Sequence, residues 1–259
     1  MERSKIYFVA DVHLGLKAGD PAEREERFVK WLRGIRTPET KAVWLLGDIW
    51  DFWYEYRDVI PREGFRVTAA ISNLLDDGIE VYFIPGNHDV WLYSFWQNLG
   101  VKVVPQTQRL EAGGKTFLLG HGDALGGAKW GYRLMLRIFH SRVCQVLFTQ
   151  LHPWLAYRFG TDWSNSNRRR HGGYKFRGAD EPLYKFCMEY RLPGVIAGTS
   201  EAVIAGPDRQ SPDFCIFGHF HDAVDMTLPS GSRLIVLKDW IGDPAPHFAM
   251  WDGSALDVR

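Results

Sequence analysis

Short apolar runs along the chain end in Asp, His or Asn, in most cases after a glycine. One such run, residues 81–84, leads into residues 85–89, which read Pro-Gly-Asn-His-Asp. An apolar run of this length, rich in β-branched and aromatic residues and closed by Pro and Gly, is typical of a buried strand followed by a loop. In an open α/β sheet, functional groups collect at the carboxyl ends of the strands. The same pattern recurs at residues 6–13, 42–48, 116–123 and 214–221.

Amphipathic segments separate the first of these strands. Residues 21–35 carry apolar side chains at helical spacing with charges between them, and residues 67–75 form a second helical segment that stops before Gly78. Residues 101–104 and 109–119 are predicted to be strands, the latter folded into a hairpin at Gly113-Gly114. The alternation of strands and helices predicts a layered α/β domain.

The pattern changes between residues 121 and 214. Residues 130–159 have a helical pattern that Pro153 interrupts, residues 164–173 are interpreted as a polar, basic loop, and residues 182–190 as a short helix. Strands resume near residue 214, and a last hairpin at residues 248–258 turns at Asp252-Gly253. We therefore predict a core made of residues 1–124 and 194–259, with residues 125–193 inserted as a helical cap.

Two features of the cap allow more than one interpretation. The basic run 168–170 either binds a diphosphate or anionic lipid, or is part of a solvated loop. A stripe of large apolar residues either covers the acyl chains of a lipid or packs into the core, and it consists of Trp130, Leu134, Ile138, Val143, Leu147, Leu151 and Trp154.

Composition narrows the function classes. The 259 residues include 31 Lys and Arg and 31 Asp and Glu, so the formal net charge is zero, which argues against bulk electrostatic binding to nucleic acid. The three cysteines are scattered and form no CxxC pair, so neither a disulfide framework nor a thiolate zinc site is expected. No signal peptide and no membrane-spanning run is recognised, and the expected location is the cytoplasm.

The polar residues at the strand ends together predict a metal centre. Singly, each has a plain structural explanation such as helix capping. Imidazole, carboxylate and amide groups without a thiolate suit manganese, iron or zinc in a catalytic site. Two ions about 4 Å apart need a shared ligand, which a carboxylate can be and an imidazole cannot. Asp48, which stands alone after its strand, is the predicted bridge, and a water held by both ions would supply the nucleophile for attack on phosphorus.

These five motifs resemble the signature of the calcineurin-like metallophosphoesterase superfamily across residues 11–221. The resemblance implies a four-layer α-β-β-α sandwich with an inserted helical cap. It implies that His88 is the catalytic histidine, which contacts the phosphate and stabilises the leaving oxygen. It also implies one metal held by Asp11, His13, Asp48 and His221, and the other by Asp48, Asn87, His121 and His219.

Within the superfamily, the chain is similar to the UDP-2,3-diacylglucosamine hydrolases of lipid A biosynthesis. The similarity rests on chain length, on the Gly-Asp-Ile-Trp-Asp-Phe-Trp of residues 47–53, and on the His-Gly-Asp of residues 121–123 followed by a tyrosine-bearing cap. It implies attack on the α-phosphorus of a UDP-lipid, usually with manganese, to give UMP and the acylated sugar phosphate. The chain departs from several members at His88, where they carry arginine. The implied substrate contacts are Asp123, Tyr132, Asn165 and Arg168.

The resulting hypothesis is an enzyme with two divalent metal ions, expected to be manganese, with iron or zinc as alternatives. Its expected partners are a nucleotide-lipid substrate and, by peripheral contact, the anionic inner face of the bacterial inner membrane. Neither nucleic acid nor a stable protein partner is expected. Two alternatives stay open: a phosphoesterase acting on another phosphodiester or a phosphoprotein, and a non-catalytic scaffold with the same fold.

Overall fold

Two β-sheets packed face to face form the centre of the protein. The structure, a computed structural model, describes residues 3–123, 125–127, 130–171, 174–190 and 210–259, with the side chains of residues 140 and 165–171 outside this description. The elements of the described residues are, in order, β1 (Lys5–Val9), α1 (Pro21–Gly34), β2 (Thr40–Leu45), α2 (Phe65–Asp76), β3 (Glu80–Phe83), α3 (Phe95–Leu99), β4 (Lys102–Val103), β5 (Gln108–Ala112), β6 (Lys115–Leu119), α4 (Trp130–His140), α5 (Arg142–Phe148), α6 (Pro153–His171), a 3-10 turn (Gly178–Asp180), α7 (Pro182–Glu189), β7 (Phe214–Phe217), β8 (Val224–Thr227), β9 (Arg233–Val236), β10 (Ala249–Trp251) and β11 (Leu256–Val258).

The first sheet has the strand order β11-β10-β1-β2-β3-β4. β1 to β4 run parallel, and β10 pairs antiparallel with β1. The helix between β1 and β2 begins at a strong start signal, because Asp20 accepts hydrogen bonds from the backbone N–H groups of Ala22 and Glu23 and Pro21 occupies the first turn. The predicted alternation of strands and helices in this half of the core is confirmed.

The second sheet has the order β5-β6-β7-β9-β8. β6, β7 and β9 run parallel, while β5 and β8 are antiparallel edge strands. β5 and β6 form the predicted hairpin, and its turn residues Gly113 and Gly114 both adopt positive φ, at 57° and 71°. Glycine takes this backbone conformation without a steric penalty, so the turn was readable from the sequence.

Three apolar clusters build four layers. Phe8 and Trp44 of the first sheet pack against Phe117 of the second sheet and fill the space between the sheets. α1 and α2 cover the outer face of the first sheet, and α7 covers the outer face of the second through Leu183 and Cys187. Because both faces of the central strands are buried, their sequences read as nearly unbroken apolar runs. The predicted four-layer α-β-β-α sandwich is confirmed.

The helices α4, α5 and α6 differ from the sequence prediction in two respects. The seven side chains of the predicted apolar stripe are all exposed, from 40% for Leu134 to 77% for Trp130, so their interpretation as core packing is wrong. The interpretation of residues 164–173 as a loop is also wrong, because α6 continues to His171. No Pro or Gly lies between Gly160 and Gly172, so no residue in this stretch breaks the helix despite its polar composition.

The aromatic segment after β2 anchors these helices to the core. The hydroxyls of Tyr54 and Tyr56 donate to the backbone carbonyls of Gln145 and Leu151, at 2.9 and 3.1 Å. These two hydrogen bonds join the core to the end of α5 and to the turn that leads into α6. The boundaries predicted for the cap remain predictions, because residues 124 and 191–209 are outside the described ranges. Among the described helices, none combines the length and apolar character needed to cross a membrane.

Candidate metal centre

The polar residues that follow five strands converge on one site at the carboxyl ends of both sheets. The first sheet contributes the residues after β1, β2 and β3, and the second sheet those after β6 and β7. Among the described residues, three groups of side chains each place one ligand atom per residue within 4.8 Å of the others. They are Asp11 with His13 and His221, Asp11 with Asp48 and His121, and His13 with Asp51 and His88.

Asn87 and His219 join this constellation through His121. The Oδ1 atom of Asn87 lies 3.3 Å from His121 Nε2, and the ring centroids of His219 and His121 are 5.1 Å apart. The structure therefore brings all seven predicted metal ligands together.

Asp48 lies at the centre of the group. Its Oδ2 atom is 3.3 Å from Nε2 of His121, 3.8 Å from Nε2 of His13 and 4.0 Å from Nε2 of His88. The side chain is only 1% exposed. A carboxylate that imidazoles from three strands surround in this way occupies the position that a bridging ligand needs.

Four imidazoles are each fixed by an acceptor at Nδ1. These contacts are His13 to Asp51 Oδ1 at 3.2 Å, His121 to the Leu46 carbonyl at 2.9 Å, His221 to Asp239 Oδ2 at 2.7 Å and His88 to the Asp51 carbonyl at 2.9 Å. Because a carbonyl oxygen only accepts, Nδ1 of His88 and His121 carries the hydrogen. Their Nε2 atoms then present a lone pair to the centre, which is the form that binds a metal or takes up a proton.

The charge and chemistry of the site fit two divalent cations. Asp11, Asp48 and Asp51 are at most 1% exposed, and Oδ1 of Asp11 accepts no hydrogen bond from the described residues. A buried carboxylate oxygen without such a bond is costly unless a cation balances it. Carboxylate and amide oxygens combined with imidazole nitrogens form a donor set suited to manganese, iron or zinc.

Burial and neighbouring charge shift the pKa values of these groups. Burial opposes ionisation of Asp48, but His121 and the other imidazoles outweigh it and hold the pKa of Asp48 well below its ordinary value. Burial likewise opposes protonation of His121, but Asp48 raises its pKa well above the ordinary value. Burial lowers the pKa of His219 to about 4, so that this ring is neutral. Asp48 thus favours a proton at Nε2 of His121, and a bound cation would displace that proton and leave the lone pair to bind the metal.

Backbone strain is concentrated on the same residues. Apart from glycines, the described residues with positive φ are Thr107, at 59°, and five predicted ligands. Such conformations cost about 1–3 kcal/mol each and persist only where the surroundings impose them. The five ligands are Asp11, His13, Asp48, His219 and His221, with φ between 51° and 73°.

The glycines next to the ligands allow close approach. A Cβ atom on Gly86 would lie closer than 3.0 Å to Oδ1 of Asp48, and one on Gly218 would lie equally close to Oδ2 of Asp11. Any side chain at these positions would displace a predicted metal ligand. The glycines in the sequence motifs thus make room for the carboxylates of neighbouring strands.

Asp89 ties two of the ligand loops together. Its carboxylate accepts backbone N–H groups from Gly86 at 2.7 Å, Asp48 at 3.1 Å, Ile49 at 2.8 Å and Trp50 at 3.3 Å. Burial, together with the nearby charge of Asp48, raises the pKa of Asp89 to about 7. The loops after β2 and β3 are therefore held in fixed register around the predicted bridge.

Of the four predicted substrate contacts, two lie together beside the centre. Asp123 follows His121 closely in sequence and accepts the hydroxyl of Tyr132 at 3.2 Å and the amide of Gln106 at 2.7 Å. The side chains of Asn165 and Arg168 are outside the described residues, so their contacts stay predictions.

Sequence reasoning missed three residues near the centre. Asp51 and Asp239 fix predicted ligands, and the hydroxyl of Ser164 donates to Asp51 Oδ1 at 2.9 Å. Asp239 follows the apolar run 234–237, so the pattern that marked the other strand ends could have found it. Ser164 lay in the segment interpreted as a loop, and only the helix α6 brings it to the centre.

Known proteins resemble the chain over more than half of its length, and one curated relative does so over nearly all of it. A sequence model of the calcineurin-like phosphoesterase family matches residues 4–223. A UDP-2,3-diacylglucosamine hydrolase of Porphyromonas gingivalis is 36% identical over 98% of this chain and 96% of its own length. One from Neisseria gonorrhoeae is 33% identical over 56% of this chain and 59% of its own length. A solved dimetal phosphatase from Danio rerio aligns with a TM-score of 0.47 at 15% identity, over 96% of this chain and 92% of its own.

The close approach at Gly86 generates a first prediction. Gly86→Ala should weaken manganese binding about 10- to 100-fold, because the added methyl group overlaps Asp48 and moves it. Titration calorimetry on metal-stripped protein measures this. Gly34→Ala is the matched control, since no atom lies within 4 Å of a Cβ there. An unchanged manganese affinity in Gly86→Ala would contradict the placement of Asp48 in the metal site.

Proposed function

The chain belongs to the calcineurin-like phosphoesterase family and is a metal-dependent hydrolase, and we propose that it cleaves UDP-2,3-diacylglucosamine to UMP and the acylated glucosamine 1-phosphate. The observation that carries the proposal is the similarity to the Porphyromonas gingivalis relative over 98% of the chain. Phosphoesterases with different substrates share a metal centre, so similarity confined to the centre would say little about substrate. Here it also spans the region of α4, α5 and α6.

We propose that the seven predicted ligands form two ion positions that share Asp48. One ion would be held by Asp11, His13 and His221, the other by Asn87, His121 and His219, and Asp48 would be the ligand that both share. Two such cations, manganese in our proposal, supply Lewis acidity and lower the pKa of water toward neutrality. The protein's own contribution is to hold the ligand atoms at fixed spacing.

His88 is proposed to act on the phosphate. Its Nδ1–H is committed to the Asp51 carbonyl, so Nε2 faces the centre, 4.0 Å from Asp48 Oδ2. From there Nε2 can take up a proton and then stabilise the phosphate or pass that proton to the leaving oxygen. Burial lowers the pKa of this imidazole, which favours its neutral form.

The substrate groups are proposed to lie between the centre and the cap. Asp123 and Tyr132 form a hydrogen-bonded pair beside His121, and the ring of Trp163 lies 5.9 Å from that of His88. An aromatic ring and a polar pair at the entrance suit a substrate with a planar base and sugar hydroxyls.

The outer face of the cap is proposed to rest on an anionic membrane. No residue of α5 is buried, and its exposed residues Val143 and Leu147, at 70% and 65%, continue into Trp154 and Phe159 of α6, at 59% and 60%. Basic residues such as Arg158 lie on the same helices and are exposed. An exposed apolar surface rimmed with arginine is typical of a contact with the interface of an anionic bilayer. A lipid substrate would reach the site from that side.

The assignment of Asp48 and His88 predicts opposite effects on metal content. Asp48→Asn should lose both manganese ions and all activity, because the bridging carboxylate serves each ion. His88→Ala should keep its manganese and lose activity about a hundred- to ten-thousand-fold, because a positioned proton donor contributes that much. Elemental analysis together with UMP release measures both. Loss of manganese from His88→Ala would show that the imidazole is a ligand instead.

The substrate is tested by comparing UDP-2,3-diacylglucosamine with bis(p-nitrophenyl) phosphate and a phosphopeptide, each with manganese, iron or zinc. With manganese, the lipid should be hydrolysed with a kcat/KM at least about 100-fold higher, since its remote groups contribute binding energy in the transition state. In ¹⁸O-labelled water the label should enter UMP, as attack on the α-phosphorus requires. Lipid turnover no faster than that of the simple ester would favour a general phosphodiesterase or phosphatase. Inertness toward every substrate would favour a scaffold.

Membrane contact is tested by flotation with vesicles that contain anionic lipid but no substrate. The wild-type chain should float with the vesicles, and Val143→Asp combined with Leu147→Asp should remain in the dense fraction, because neither side chain is part of the core. Phe65→Asp is the control, because Phe65 is 69% exposed on α2, outside the cap. An equal loss of flotation in that control, or a wild-type chain that does not float, would refute this contact.

A further inference from the structure

Asp239 stands directly behind His221. Its Oδ2 atom lies 2.7 Å from Nδ1 of His221, and its Oδ1 atom accepts the backbone N–H of Ile241 at 2.8 Å. On the opposite side of the ring, Nε2 of His221 lies 3.8 Å from Oδ1 of Asp11. The order carboxylate, imidazole, ligand position is the one in which an outer carboxylate orients a metal-binding histidine and raises its basicity.

The loop that carries Asp239 is anchored on both sides. Before it, Leu237 donates its backbone N–H to the Phe217 carbonyl at 2.8 Å, and after it, Trp240 donates to the Asp11 carbonyl at 3.1 Å. The indole of Trp240 is buried in the core and donates to the His247 carbonyl at 3.0 Å. The carboxylate of Asp239 is thus presented from a fixed backbone, as a positioning role requires.

The two ends of the metal centre differ in what stands behind the ligands. His13 and His221 contact the carboxylates of Asp51 and Asp239, whereas His121 contacts the neutral carbonyl of Leu46. A charged acceptor forms the stronger hydrogen bond and makes the imidazole a better donor to a cation. The rings of His13 and His221 also stack, with centroids 4.9 Å apart and planes inclined by 21°.

We propose that Asp239 is a positioning residue for His221, and that it makes the Asp11–His13–His221 end of the centre the tighter of the two ion positions. The inference rests on the proposed dinuclear function. In each proposed ligand set Asp48 is shared, so the difference arises from the remaining ligands. At one end the remaining ligands include the carboxylate of Asp11, and at the other end they include the neutral amide of Asn87. The carboxylates of Asp51 and Asp239 also strengthen cation binding at the Asp11 end.

The test is a manganese titration of the metal-stripped, full-length chain, followed by calorimetry and by the electron paramagnetic resonance signal of free Mn²⁺. The wild-type chain should show two binding steps of different affinity. Asp239→Ala should weaken the tighter step about 10- to 100-fold and change the weaker step less than about threefold. Asp239→Asn should lose less affinity than Asp239→Ala, because its amide oxygen can still accept the Nδ1–H. Asp225→Ala, which removes an exposed carboxylate paired with Arg233, is the control.

Three results would overturn the inference: an unchanged tighter step in Asp239→Ala, equal weakening of both steps, or an asparagine variant no better than alanine. If circular dichroism shows that Asp239→Ala does not fold, Asp239→Asn decides alone, since its loss must be confined to the tighter step. UMP release by the wild-type chain is measured separately. If the wild-type chain releases UMP but the Asp239 variants bind manganese as the wild type does, only the inference about Asp239 is rejected. If Asp239→Ala weakens the tighter binding step but the wild-type chain does not hydrolyse the lipid, only the proposed substrate is rejected.

Discussion

The centre depends on holding two buried carboxylates, Asp11 and Asp48, close to each other. Like charges in a dry site repel, and removing each from water is costly, so this arrangement is stable only where cations or imidazoles compensate it. The surrounding features serve this one requirement. Gly86 and Gly218 leave space beside the two carboxylates, and Asp89 fixes the loop that carries Asp48 through backbone N–H groups. The same requirement explains why strained backbone is concentrated on the ligands, since the loops are shaped to aim side chains inward.

The sandwich determines how far apart the ligands lie. The strands before Asp11 and Asp48 belong to one sheet, and those before His121 and His219 belong to the other. The core between the sheets, where the rings of Phe8 and Phe117 stack at 5.8 Å, acts as a spacer for the metal centre. At the carboxyl ends of the strands the two sheets approach each other closely, and a Cβ on Gly218 would come closer than 3.0 Å to Cβ of Ala10. The packing between the two sheets therefore determines the spacing of the predicted metal ligands.

One local rule, an apolar strand ending in a ligand type, repeats five times, and it predicted a layered α/β domain with a metal centre at the strand ends. The four-layer sandwich, the two ligand sets and the role of His88 came from the family resemblance that this rule supports. The rule did not identify Asp51, whose side chain contacts His13 from 38 positions away, since no local pattern records a contact of that kind. The basic segment around Ser164 was interpreted as a loop from its polar composition alone, although it contains no proline and the helix α6 continues through it. The left-handed backbone of His219 and His221 was not predicted either, because only a small fraction of non-glycine residues adopt it, even though histidine does so more often than most.

Polar contacts join the cap to the metal centre, and the exposed apolar residues of the cap take no part in them. Ser164 of α6 donates to Asp51, which in turn contacts His13, so the cap reaches the predicted ligands through two hydrogen bonds. Phe52 packs so tightly on Gly160 that a Cβ there would lie closer than 3.0 Å to its ring. Because α6 is fixed to the core by its inner face, its outer apolar residues contribute little to folding. The proposed contact with lipid would bury these exposed apolar residues.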